Sequence, residues 1–184
     1  MDTDTRLMLR VKDGEDSCMD LLCERYRGPV IQYLYRLIGN HAIAEELAQN
    51  VFFRIYRARS TYQPSAKFTS WMFRIANNLA LNWKRDHRRE SNALSISAGL
   101  ERDPEMPIAD SKPTAEQMLL LRARTEEVRR AIKTLPHRQK AAVIMQRYKE
   151  LEYTEIAEVM NCTPGTVKSL ICRAHHKLRL TLAA

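Results

Sequence analysis

Apolar residues recur along this chain at helical spacing, and nowhere with the sustained alternation of a half-buried strand. Ile43, Leu47, Val51 and Ile55 repeat every four residues, which predicts one stripe of an amphipathic helix. Phe68, Trp71, Ile75, Leu79 and Trp83 predict a second such helix. Its other face carries Arg74, Asn78, Asn82, Arg85 and Arg89. Upstream, Met19 to Ile38 is apolar-periodic, and Gly28-Pro29 is expected to break or kink it because proline removes a helix donor. Between the two amphipathic stretches, Ser60 to Lys67 with Pro64 reads as a short loop.

The periodicity stops at Ser91 and resumes after Ala115. This stretch holds three of the seven prolines, and its two basic residues against four acidic ones give it a charge of −2. Such a composition buries little and reads as an extended linker over 91–115, separating a block at 1–90 from a block at 116–184. The second block predicts four helices. Glu116–Lys133 is followed by His137–Lys149, with Pro136 in its first turn. Then come Tyr153–Met160 and a last helix from Thr163 or Pro164, where Thr163 suits the N-cap and Pro164 the first helical position. The expected fold class is all-α, two small helical domains joined by a flexible linker.

Composition narrows the function. The 184 residues are 45% hydrophobic, enough for a core, and hold only 5 glycines, which disfavours glycine-rich phosphate loops. No apolar run approaches the ~20 residues of a membrane span. The N-terminus opens Met-Asp-Thr-Asp-Thr without a following apolar segment, so no signal peptide, a cytoplasmic location and reduced thiols are expected. Cys18, Cys23, Cys162 and Cys172 form no C-x-x-C, and His175-His176 beside Cys172 lack the ligand set of structural zinc. With no metal-spaced cluster and no nucleophile beside a base, no catalytic residue, metal or cofactor is expected.

Thirty basic residues against 22 acidic ones give a net charge of +8, and the excess is clustered. One cluster reads Lys84-Arg85-Asp86-His87-Arg88-Arg89. The other lies in an acid-free run from Val159 to Ala184, with Lys168, Arg173, Lys177 and Arg179. Two separate basic surfaces suit a polyanionic partner. Overlapping the second run, Tyr153 to Ala174 has the spacing of a helix-turn-helix. Ala157 is the small residue at the crossing, Asn161 the turn residue able to adopt left-handed φ/ψ, and Val167 the packing residue beyond it, with Ile156 and Leu170 completing the core. The second helix then presents Lys168, Ser169, Cys172, Arg173 and His176, suited to base edges or phosphates in a major groove. Asparagines among arginines on the Arg74–Arg89 stripe suit unstacked bases and their backbone. The face around Glu46, Gln49, Asn50 and Arg54 has no such reading from composition alone.

The run from Ala44 to Arg89 resembles domain 2 of the bacterial sigma factors, and Leu135 to Leu178 resembles sigma domain 4. The two joined by a bare linker is similar to the extracytoplasmic-function (ECF) group. The resemblance implies binding to core RNA polymerase, promoter recognition and strand opening. It implies that Glu46, Leu47, Gln49, Asn50 and Phe52 dock on the β′ clamp, with the β flap as a further contact. By the same resemblance, Arg74, Asn78, Asn82 and Arg85 face the −10 element, and Tyr62 to Lys67 surround a flipped base. Thr166, Lys168, Ser169, Cys172, Arg173 and His176 would face the −35 duplex. An anti-sigma partner also belongs to that expectation. The rival from a different class is a stand-alone helix-turn-helix regulator using only the second block; a pure interaction module is a third.

Overall fold

The computed structural model describes residues 2–91, 115–149 and 151–183, so nearly all of the expected linker lies outside the described residues. Among those described, the chain forms eight α-helices and one short 3-10 turn. The first helix, α1 (Thr3–Lys12), is not announced by the apolar spacing. Asp2 caps it, accepting a hydrogen bond from Thr5 N at 2.8 Å, and Leu7, Met8 and Val11 face inward. Next comes α2 (Ser17–Ile38), which continues through Gly28-Pro29 without the break that the sequence allowed there. An interior proline costs about 3 kcal/mol or more. Here the buried Leu22, Val30, Tyr33, Leu34 and Leu37 lie on either side of it and hold the helix in one piece. Gly39 ends α2 in the left-handed region at φ 87°, donating to Tyr35 O.

Asn40 caps α3 (His41–Arg57), and its Oδ1 accepts from Ile43 N. The expected stripe faces the core, widened by Ala44 and Ala48. After the 3-10 turn at Arg59–Thr61 and a loop, α4 (Phe68–Ser91) begins. Its buried face is centred on Met72, Phe73, Ala76 and Ala80, so Trp71, Ile75 and Trp83 are half-buried at its margins. A buried hydrogen bond from Tyr33 Oη to Asn77 Oδ1, 3.1 Å, joins α2 to α4.

The second group comprises α5 (Ala115–Lys133), α6 (His137–Lys149), α7 (Tyr153–Met160) and α8 (Pro164–Leu182). Pro136 stands one residue before α6 rather than in its first turn, and its carbonyl accepts from Lys140 N. The two groups share a continuous apolar core, with α7 packed on α4 and α6 on α2. Two polar contacts stitch this seam. Lys140, 4% exposed, reaches across from α6 to donate to Leu37 O at 3.0 Å, a carbonyl of the last turn of α2. That placement satisfies an orphan acceptor and sets a cation at the negative end of the helix. Lys67 pairs with Glu155 of α7 at 2.6 Å.

Candidate nucleic-acid interface

Helix α4 sorts its side chains as the sequence predicts. Arg74, Asn78, Asn82 and Arg85 are exposed along one side, while the side chain of Arg89 lies outside the described residues. Arg85 leans on Asp86 at 3.2 Å, an exposed pair of little energetic weight. At the N-terminal end of the stripe the chain forms a hollow of about 250 Å³, lined by Thr61, Tyr62, Gln63, Ser65, Trp71 and Arg74 among others. Tyr62, expected among the residues around a base, is only 3% exposed. Its ring packs on Trp71 with centroids 4.8 Å apart, so it forms the floor of the hollow rather than a free arm. Burial pushes its hydroxyl pKa up; the Thr5 hydroxyl lies close enough to oppose that shift but makes no hydrogen bond to it. Lys67, at the far end of the loop, is exposed but held by Glu155. That bond raises the Lys67 pKa and lowers the pKa of Glu155.

The helix-turn-helix is assembled by local chemistry. Glu155 Oε2 accepts from Glu152 N at 2.9 Å and starts α7. Asn161 ends it in the left-handed region at φ 48°, followed by a bond from Cys162 N to Ala157 O. Thr163 Oγ1 then accepts from Thr166 N at 3.2 Å, and Pro164 opens α8. Ala157, Val167 and Leu170 are buried at the crossing, as their spacing requires. Lys168, Ser169, Cys172, Arg173 and His176 are exposed together, and Thr166 is half-exposed at the turn. Arg173 Nε folds back onto Ser169 O at 3.2 Å, a position from which the guanidinium can swing outward.

On α3, Glu46, Gln49 and Asn50 are exposed, with Asn50 Nδ2 donating to Glu46 O at 3.1 Å. Leu47 belongs to the core at 7% exposure, because it shares the stripe of Val51 and Ile55. Phe52 is half-buried against that core. The aromatic this face actually offers is Phe53, 58% exposed, with the Arg57 guanidinium 5.6 Å from its ring centroid. Its signal was present in the sequence: 46, 49, 50 and 53 fall on one helical face.

Among the described residues no helix is long and apolar enough to cross a membrane, and no group of three His, Cys, Asp or Glu is placed to hold a metal ion.

Against known proteins, the sigma-70 region 2 profile matches residues 22–90 and the sigma-70 region 4 profile matches residues 125–178. The ECF RNA polymerase sigma-E factor of Haemophilus influenzae is 30% identical over 177 residues, 96% of this chain and 93% of that one. The RNA polymerase sigma-H factor of Pseudomonas aeruginosa is 29% identical, covering 95% of this chain and 91% of its own. The ECF sigma factor SigW of Bacillus subtilis is 28% identical, covering 94% and 93%. Two solved structures share the fold. The sigma factor RpoE, solved with the anti-sigma factor NepR from Bartonella quintana, superposes with a TM-score of 0.69 at 20% identity, covering 90% of this chain and 96% of that one. CnrH, solved with the cytosolic domain of CnrY, gives 0.68 at 20% identity, covering 99% and 98%. The exposed stripe on α4 falls in one matched region and the helix-turn-helix in the other, in the order the relatives share across almost their whole length. The chain therefore belongs to the ECF group of the sigma-70 family of RNA polymerase sigma factors.

Proposed function

We propose that this sigma factor binds core RNA polymerase through the exposed face of α3, reads the −10 element with α4 and the hollow before it, and reads the −35 duplex with α8. Residues 1–90 and 116–184 act as the two domains, with 91–115 as the tether between them. The observation that carries this reading is the division of basic and amide side chains between two exposed helix faces of different chemistry. Arg74 lines a base-sized hollow floored by an aromatic pair, and Asn78, Asn82 and Arg85 continue the exposed stripe along α4 from it, which suits single strands. Lys168, Ser169 and Arg173 lie on the second helix of a helix-turn-helix, which suits a major groove. Extruding a base costs a few kcal/mol, which the hollow and the polymerase contacts offset.

The protein acts in the cytoplasm, without chemistry of its own. It is held by an anti-sigma protein that covers its amphipathic faces; the complex of RpoE with the anti-sigma factor NepR supports this. Run-off transcription with purified core polymerase tests the central statement. Promoter-dependent product should appear only when the protein is added. Its absence across a genomic template library would remove the reading.

A further inference from the structure

The loop before α4 is fixed at both ends by the same helix, and that helix lies outside both regions matched by the family profiles. At the start of the loop, Lys12 Nζ of α1 donates to Tyr62 O at 2.9 Å. At its end, Phe68 N donates to Thr5 Oγ1 of α1 at 3.3 Å. The second contact answers a local shortage. The first N–H groups of a helix need acceptors, and the residue before Phe68 is Lys67, whose side chain has none to give. Thr5 supplies the acceptor from a distant helix, and its orientation is set in turn by Asp2. Thr5 Oγ1 donates to Asp2 Oδ2 at 2.7 Å, so its proton is committed and a lone pair is left for Phe68 N. Thr5 is 2% exposed, which keeps water from replacing it. Between the two anchors, the backbone bond the structure gives the loop is Ser65 N to Gln63 O at 2.8 Å.

We propose that α1 is a clamp on the −10 recognition loop, and that Lys12 and Thr5 are positioning residues that determine its base preference. This rests on the reading of the hollow as the seat of an extruded base. Gln63, Ser65 and Ala66 line that hollow and lie between the two anchor points. Loosening either anchor lets these side chains and amides sample positions in which they no longer discriminate between bases. The strength of −35 recognition and of polymerase binding depends on other helices and does not change.

Two measurements on the full-length chain test the clamp. Hydrogen–deuterium exchange on the free protein should show residues 63–68 exchanging faster in Lys12→Met and in Thr5→Val, while α2 and α3 exchange as in the wild type. Second, reconstituted holoenzyme is run on a promoter library randomised at the −10 and −35 elements, and the products are sequenced. Both variants should lose roughly fivefold in preference at the −10 base seated in the loop, about what one net hydrogen bond is worth. Preferences at −35 and the affinity for core polymerase should hold, and Lys12→Arg and Thr5→Ser should restore discrimination. Lys12 is exposed, so its variant folds even if Thr5→Val is poorly tolerated. Unchanged loop exchange in Lys12→Met would overturn the clamp. So would equal loss of preference at −35 and −10, which marks general destabilisation. A wild-type holoenzyme with no −10 preference would instead remove the reading beneath it, with the exchange result still standing as a fact about the loop.

Discussion

Asn78 and Arg173 meet different forms of DNA in the proposed assignment, so their alanine variants should fail differently. Arg173→Ala should weaken use of the −35 element by about 1–3 kcal/mol, the worth of a good base contact. The check is transcription from templates with single −35 substitutions; a variant that still discriminates among them contradicts the role given to α8. Asn78→Ala should leave initial duplex binding intact and reduce opening, read as lower permanganate reactivity at unstacked thymines. Both residues were legible as site candidates because exposure on a helix follows from periodicity alone. Leu47, Phe52 and Tyr62 were not, since a family-level correspondence says nothing about which side of this backbone each occupies. Leu47 and Tyr62 are buried and Phe52 is half-buried, while the neighbouring Phe53 is exposed.

At the scale of elements, the bounds of α6 and α7 and the start of α8 were readable because the chain punctuates them locally. Asn161 is one such mark, being the non-glycine described residue with positive φ. A Cβ in left-handed backbone costs roughly 1–2 kcal/mol, and asparagine tolerates it better than most. Asn161→Ala should therefore lower stability by about 1 kcal/mol in urea unfolding, and Asn161→Gly should stay near the wild type. Equal stability of all three would mean the turn relaxes to another geometry. What periodicity could not reveal is support that arrives from far along the chain. Helix α1 is short, and its role is defined by contacts with residues 62 and 68. Pro29 reads as a breaker until the buried neighbours that hold α2 together are known.

Over the whole molecule, the seam between the two helical groups carries a pH signature. Burial, with Lys84 and Lys140 nearby, lowers the His137 pKa to about 4, below the ordinary value of about 6.5. Between these values the unfolded chain binds a proton that the folded chain refuses, so stability falls as pH drops from about 6.5 towards 4. Burial first, then Lys84 and Lys133, lowers the Lys140 pKa to about 8, against roughly 10.4 for a free lysine. The sign is the same: the folded chain sheds its proton first, and stability rises between those values. Urea midpoints measured at pH 5 and 7.5 should differ less in His137→Gln than in the wild type; parallel profiles would exclude His137 as the titrating group. None of this was visible in the sequence, which marked the linker but not whether the blocks it joins touch. The shared core also sets a limit of reach. Elements named −35 and −10 lie about 25 base pairs apart, roughly 85 Å at about 3.4 Å per pair. Helices in contact have axes about 8–10 Å apart, and α4 is only about 36 Å long. With α7 seated on α4, the chain resembles a ruler folded shut, too short for the span it must measure. Residues 92–114 supply enough backbone for roughly 80 Å when extended. Fluorescent labels on α4 and α8 should therefore move apart when the promoter complex forms, and an unchanged separation would mean that only one element is touched at a time. Opening the ruler exposes the apolar core shared by the two groups and breaks the contacts of Lys67 and Lys140 across the seam, so the burial of that core, more than the two polar contacts, sets how readily the protein is drawn from storage into use.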